Sequence, residues 1–294
     1  MRLNSGSCED ARPALPGGVF AVFGDPIAHS RSPAMHGAAF AALGLGHIYL
    51  PFRVSAPGLD TALRGAAALG FCGINLTVPH KRAALELVDE LSPAARRIGA
   101  INTVIMRGRR LCGENTDSPG FARALRELGH SSPERVMVLG SGGAARAVVD
   151  ALLAEVDVQE LLWVSRDPSR LSFDPSLAAG RLRCLGYQAI ARGLGVELLV
   201  NCTTVGMHGG PANFPVALPL DTLMSGADGR VRVIDIVYPR PIGGLLDQAA
   251  ALGAEVQDGR EMLLWQGVIA LEHWLGEPLP EVAIVAMRAA LGPA

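Results

Sequence analysis

The chain has 294 residues, 49% of them hydrophobic and 18% charged, which is enough apolar material for about two domains of roughly 150 residues each. A formal net charge of −2 provides no basic footprint for nucleic acid or for an anionic membrane. The five cysteines, Cys8, Cys72, Cys112, Cys184 and Cys202, are odd in number, widely spaced and free of any C-x-x-C. That usage argues against a disulfide framework or a zinc site and for a reducing cytoplasm.

Residues 1–18 lack the apolar stretch of a signal peptide and read as a disordered lead-in. No run approaches the length of a transmembrane helix. Val19–Phe23 is a short apolar run that stops at Gly24, the pattern of a buried strand. Ser32-Pro33 reads as an N-cap and N1 pair, opening a helix that reaches about Leu43. Ile48–Val54 is expected as a strand, Leu59–Leu69 as a helix and Cys72–Leu76 as a strand. This alternation implies a parallel α/β sheet. A helix is expected over Arg82–Leu91, and Ser92-Pro93 caps another that ends near Gly99. Thr103–Met106 and Arg110–Gly113 form a hairpin around residues 107–109. Ser118-Pro119 reads as a further cap, with Gly129 at the far end of its helix.

Val136–Arg146, V-M-V-L-G-S-G-G-A-A-R, is the most legible stretch. A strand runs into glycines, and the glycines run into helix formers. Gly140, Gly142 and Ala145 fit G-x-G-x-x-G/A, in which the first glycine turns the chain, the second admits a pyrophosphate and the third lets helix approach strand. The N-terminus of the following helix, Ala144–Glu155, presents free N–H groups to phosphates. Leu161–Val164 continues the unit as its second strand. About 20 residues past the motif, where an acidic residue would hold the 2′-hydroxyl of NAD, stands Ser165 followed by Arg166. That pair suits the 2′-phosphate of NADP, and Arg170 is within reach of it. Asp167 beside them works against the phosphate, and a solvated loop would also account for both arginines.

Further strands are expected over Leu198–Val200, Val231–Val237 and Gly253–Val256, followed by helices to about Leu291. Met262, Leu263, Trp265, Val268, Ile269, Leu271 and Trp274 form an apolar stripe at helical spacing. Gln266 is its polar exception, placed either to cap the buried face or to point into a cleft.

In the first half, polar residues gather at strand ends: Ser30, Ser32, Asn75, Thr77, Lys81, Asn102, Asn115 and Asp117. Each alone has a bland account as a cap, a turn former or a solvated side chain. Jointly they mark the crevice outside the carboxyl ends of the strands, where open sheets bind ligands. His29, His36, His80 and His208 have no metal-ligand spacing, so no metal is expected.

The segments G-D-P-I-A-H-S-R-S-P-A-M-H, N-L-T-V-P-H-K, G-A-I-N-T, G-E-N-T-D, G-S-G-G-A-A-R-A and D-G-R-E-M-L-L-W-Q resemble, in order, the motif set of the shikimate dehydrogenase family. The resemblance runs from about Val19 to the C-terminus. It implies an α/β substrate domain with a mainly parallel sheet over residues 1–117, completed by C-terminal helices at 259–294, and a Rossmann NADP domain over 118–258. It implies reversible, NADPH-dependent reduction of 3-dehydroshikimate to shikimate, a step of aromatic amino acid (chorismate) biosynthesis, in a monomer or homodimer. Lys81 and Asp117 would be the catalytic pair. Ser30 and Ser32, helped by Tyr238, would take the carboxylate; Asn75, Thr77, Asn102 and Gln266 would hold the ring hydroxyls. The cofactor would meet Gly140, Ser141, Gly142, Gly143, Ala144, Ser165, Arg166, Arg170, Thr203, Val237, Gly259 and Met262.

Three places depart from the family pattern. N-R-T-x-x-R is here S-R-D-P-S-R, so Asp167 stands where a threonine is usual and NAD stays open as cofactor. The usual T-P-L-L is G-G-L-L at Gly243–Leu246, and the usual phenylalanine is Leu271. A quinate/shikimate dehydrogenase preferring NAD and a non-catalytic shikimate-binding sensor are the competing readings; retention of both Lys81 and Asp117 speaks against the sensor.

Overall fold

The computed structural model describes residues 17–129, 133–156, 158–171, 173, 175–192, 194–207, 209–223 and 231–292. Most of the lead-in, residues 1–16, and His208 lie outside them.

The chain opens with β1 (Val19–Gly24), α1 (Ser32–Ala42), β2 (Ile48–Arg53), α2 (Leu59–Ala68) and β3 (Gly73–Leu76). Then come α3 (His80–Ala83), β4 (Glu90–Leu91), α4 (Pro93–Ile98), the hairpin β5 (Thr103–Arg107) and β6 (Arg110–Glu114), and α5 (Asp117–Glu127). These strands form one sheet in the order β2-β1-β3-β5-β6-β4. β1 pairs in parallel with β2 and β3, and the hairpin then adds antiparallel pairings.

Four local expectations are corrected. The helix expected over Arg82–Leu91 ends at Ala83, continues as a 3-10 turn over Ala84–Glu86 and gives way to β4, which pairs with β6. Asp89 stops it: its backbone N–H donates to Leu111 O, and its carboxylate accepts the Leu111 N–H at 2.7 Å. Ser32 is not a cap but the first residue of α1, with Arg31 at the N-cap and no side-chain capping bond. Ser118 is likewise inside α5, whose N-terminal amides at Asp117 and Ser118 are capped by Asn115 Oδ1 at 3.1 and 3.2 Å. Asn75 lies within β3 rather than forming a turn.

The second sheet collects β7 (Arg135–Leu139), β8 (Glu160–Ser165), β9 (Leu182–Gly186), β10 (Leu198–Asn201), β11 (Arg232–Asp235) and β12 (Glu255–Asp258). Its helices are α6 (Gly143–Ala154), α7 (Pro175–Ala178), α8 (Leu220–Leu223) and α9 (Leu245–Ala251). The order is β12-β11-β10-β7-β8-β9 and every pairing is parallel. This is the doubly wound dinucleotide order, in which strand order reverses between the first and fourth strands, here β7 and β10. Gly140 makes the turn after β7 with φ +119, and a Cβ there would lie 2.8 Å from Cys202 O.

Finally α10 (Arg260–Leu275) and α11 (Glu281–Leu291) return to the first sheet. Leu264, Trp265, Val268, Leu271 and Met287 pack there with Phe20, Val22, Met35 and Phe40. The crossing of α5 and α10 is close because Gly120 has no side chain: a Cβ would meet Gln266 N at 2.6 Å. That approach brings the start of α5 and the middle of α10 to the same polar centre. Among the described residues, no helix is long and apolar enough to cross a membrane.

Candidate active site

One cavity of about 400 Å³ opens between the carboxyl ends of the two sheets. The first sheet and its helices contribute Ser30, Ser32, Asn75, Thr77, Lys81, Asn102 and Asp117, and α10 contributes Gln266. From the second sheet come Gly142, Gly143, Ala144, Thr203, Val237 and Tyr238, with Gly259 and Met262 at the start of α10.

At its centre Lys81 Nζ donates to Asp117 Oδ2 at 2.6 Å. The pair is largely withdrawn from solvent, with side chains 17% and 5% exposed. Asn102 Nδ2 donates to the other oxygen, Asp117 Oδ1, at 2.8 Å, and also faces Thr116 Oγ1 and Gln266 Oε1. Asn102 Oδ1 in turn accepts the Thr116 N–H at 2.7 Å. Lys81 is therefore fixed by a carboxylate that is itself held from behind.

The rest of the polar wall is similarly braced. Asn75 Nδ2 donates to Asn102 O and Thr103 Oγ1, and Asn75 Oδ1 accepts the Tyr49 hydroxyl at 2.7 Å. Burial pushes the Tyr49 phenol well above its ordinary pKa, against the opposing effect of the Ser32 hydrogen bond. Tyr238 is pushed up to about 12, first by burial and then by the charge of Asp117, while Arg31 acts in the other direction. Both phenols therefore stay protonated and able to donate at neutral pH. Gln266 lines the cavity, and its Nε2 donates to Leu263 O at 2.7 Å.

On the dinucleotide side, α6 starts with Gly142 as N-cap and no side-chain capping bond, so its first amides are free to meet an anion. A Cβ at Gly142 would meet nothing within 4 Å, which leaves the backbone open to a phosphate group. Thr203 is oriented by Asn201, whose Oδ1 accepts its N–H and hydroxyl at 3.0 and 2.7 Å. Asn201 is fixed in turn by Asp235 at 2.9 Å. These features fit a dinucleotide pyrophosphate.

Gly140 and Ser141 form the turn beneath this wall without lining the cavity, and Ser165, Arg166 and Arg170 also lie outside it, at the end of β8. Arg166 is exposed. Ser165 is buried, and its Oγ has no hydrogen-bond partner among the described residues. Asp167 is turned into its own loop: it accepts the Ser169 N–H at 3.2 Å and pairs with Arg170 at 3.0 Å. The Ser169 hydroxyl, more than Arg170, holds its carboxyl below the usual range.

Among known protein families, the model of the shikimate dehydrogenase substrate binding domain matches residues 22–104. Shikimate dehydrogenase (NADP(+)) of Methanopyrus kandleri is 40% identical over 274 residues, covering 89% of this chain and 91% of that protein. Its counterpart in Methanosarcina mazei is 42% identical over 272 residues, covering 89% and 94%. The crystal structure of shikimate 5-dehydrogenase from Thermus thermophilus in complex with NADP(H) and shikimate is 39% identical, covers 93% of this chain and 99% of its own, and aligns with a TM-score of 0.77.

The chain belongs to the shikimate dehydrogenase family.

Sequence reasoning missed several members of the site. Tyr49 was expected only as part of a strand, yet its hydroxyl reaches Asn75 across 26 positions of sequence. A tyrosine inside an otherwise apolar strand needs a partner for its hydroxyl once buried, and that was the available signal. Thr103 and Thr116 join the network under Asn102. Cys202, Thr204, Met207 and Ile236 line the cavity without any distinctive pattern in the sequence. His36 and His80 are fully buried: His36 stacks on Tyr49 with centroids 4.3 Å apart, and burial lowers its pKa to about 3. His80 Nε2 contacts Val54 O at 2.8 Å. No group of three or more potential metal ligands occurs among the described residues.

Proposed function

We propose that this chain is an NADP-dependent shikimate dehydrogenase that interconverts 3-dehydroshikimate and shikimate in chorismate biosynthesis. The observation that carries the reading is the withdrawn Lys81–Asp117 pair, at 2.6 Å, in a cavity shared by the polar wall of the first sheet and the free helix N-terminus of the second. The substrate and cofactor named for its relatives support the same assignment.

The described residues within 1–117 and 259–294 then form the substrate domain, and those within 118–258 the cofactor domain. Ser30, Ser32 and Tyr238 bind the carboxylate through uncharged donors. Asn75, Thr77, Asn102 and Gln266 read the ring hydroxyls. Lys81 stands at the C3 oxygen; its ammonium donates a proton there when the ketone is reduced and recovers one in the reverse direction. Asp117 orients the ammonium and balances its charge. Asn102 keeps the carboxylate from rotating away.

The bound nicotinamide supplies the hydride chemistry. It would be held by Gly140, Ser141, Gly142, Gly143 and Ala144 at the phosphates and by Ser165, Arg166 and Arg170 at the adenosine end. Thr203, Val237, Gly259 and Met262 would line the nicotinamide end. The buried Oγ of Ser165 and the exposed Arg166 support a phosphorylated ribose as the better fit. Asp167, spent on Ser169 and Arg170, is not aimed at a ribose hydroxyl. The described cysteines, Cys72, Cys112, Cys184 and Cys202, are all free, which supports a reducing cytoplasm as its compartment.

Steady-state rates with shikimate or quinate, each with NADP+ or NAD+, test the assignment. Shikimate with NADP+ is expected to give the highest kcat/KM. A tenfold advantage of quinate with NAD+ would replace it with the quinate reading, and binding of shikimate without turnover would replace it with the sensor.

A further inference from the structure

The second domain's phosphate helix, α6, leans on the segment that carries Lys81, and one face makes the contact. Gly143, Ala147 and Asp150 are spaced four and three apart and so share that face. A Cβ at Gly143 would lie 3.0 Å from Lys81 Cβ and 3.3 Å from Ala100 Cβ. Ala147 packs with Ile98 and Ala100. Asp150, 1% exposed, takes a two-point grip from Arg97, with Nε at 2.6 Å from Oδ1 and Nη2 at 3.0 Å from Oδ2. Its Oδ2 also accepts the Ser118 hydroxyl at 2.7 Å.

Each partner of Asp150 is joined through the chain to the segments that carry Lys81 and Asp117. Arg97 is the penultimate residue of α4, and three residues later Ala100 O accepts from Asn115, which caps Asp117 and Ser118. The next residue, Ile101, donates its N–H to Lys81 O at 2.8 Å. Ser118 directly follows Asp117. A bidentate guanidinium–carboxylate pair fixes direction as well as distance. Small residues above it let the two backbones close.

We propose that Arg97 and Asp150 are positioning residues that set the distance between the phosphate helix, and so the cofactor it holds, and the Lys81 ammonium. Neither residue lines the cavity; the pair acts through Gly143, Ser118 and Ala100. The inference rests on the dehydrogenase reading above.

The test compares the wild-type enzyme with Asp150→Asn, Arg97→Met, Arg97→Lys and the double variant Arg97→Met/Asp150→Asn. Val148→Ala, in the core on another face of α6, is the control for lost stability alone. NADP+ and shikimate binding are each measured by calorimetry, and kcat and both KM values by shikimate oxidation. The two binary affinities are expected to change by less than about threefold, while kcat falls about tenfold, the scale of a sub-ångström misplacement. The double variant should be no worse than the poorer single one, Arg97→Lys should recover part of kcat, and Val148→Ala should lower Tm without lowering kcat.

An unchanged kcat in the charge variants overturns the proposal. So does a loss confined to NADP+ affinity, or a kcat loss in Val148→Ala equal to theirs. Arg97 is the more exposed partner, so Arg97→Lys reports even if Asp150→Asn does not fold. Wild-type enzyme that fails to oxidise shikimate would remove the function reading, and this inference with it. Turnover in the wild type with unmoved variants would remove this inference alone.

Discussion

Asp117 holds Lys81 with one carboxylate oxygen and is itself held through the other: Lys81 Nζ lies 2.6 Å from Oδ2, and Asn102 Nδ2 lies 2.8 Å from Oδ1. The lysine thus keeps one bearing in the cavity without a contact from substrate. Behind the carboxylate stands a chain of neutral groups, Asn102, Thr116 and Gln266.

Replacing Lys81 by alanine removes the proposed proton donor and leaves the hydroxyls proposed to bind the carboxylate intact. Turnover is expected to fall by about 10²–10⁴, with shikimate affinity retained within a few fold. Calorimetry alongside stopped-flow oxidation of shikimate checks both halves. Unaltered turnover would take Lys81 out of the mechanism.

Gly142 and Gly143 are adjacent yet should fail differently. A side chain at Gly142 enters open space in the cavity. Gly142→Val should therefore fold normally and raise KM for NADP+ about tenfold by occupying the phosphate approach. A side chain at Gly143 runs into the Lys81 stem at 3.0 Å, so Gly143→Val should lower kcat as well. Equal effects on both parameters in the two variants would contradict the distinction.

Asp167→Thr removes a negative charge beside Arg166 and releases Arg170 from its 3.0 Å pairing. The ratio of kcat/KM for NADP+ over NAD+ is expected to rise about threefold to tenfold, the range of exposed charge effects at low salt. An unchanged ratio at low ionic strength would mean that the loop does not meet the 2′-phosphate.

Asp235 provides a pH signature in stability. It is buried, and burial, more than nearby Asp258, raises its pKa to about 6, against the hydrogen bonds from Val237 and Asn201. The folded state keeps the proton between about pH 4 and 6, where the unfolded chain has lost it. Stability contributed by this group is therefore present below the unfolded pKa and lost as pH rises through about 6, on the order of 2–3 kcal/mol. Urea melts of Asp235→Asn should lack that slope between pH 4 and 7. An identical slope in the variant would assign it to other groups.

Much of this arrangement was readable from residue order, and the unreadable parts share a cause. The strand–glycine–helix order at Val136–Arg146 is local, so its elements and the Gly140 turn follow from it directly. β9 is an edge strand whose side chains are all exposed or half-buried; L-R-C-L-G carries little alternation and gave no strand expectation. Ser118 was read as a cap because Ser-Pro suits one, but Asn115 caps and Ser118 reaches Asp150, 32 positions away. Arg97 meets Asp150 across 53 positions. Tyr49 finds Asn75 by lying two strands away, across β1. Contacts of that kind depend on sheet order and helix crossing, which periodicity does not encode.

We assign the oxidation of shikimate with NADP+ to the Lys81–Asp117 cavity. The most direct measurement is kcat/KM of the purified wild-type enzyme for shikimate and quinate with each nicotinamide, read at 340 nm. Shikimate with NADP+ should exceed every other combination, and Lys81→Ala should lower its rate by about 10²–10⁴. Absence of NADPH formation from shikimate, or a rate left unchanged by Lys81→Ala, would contradict it.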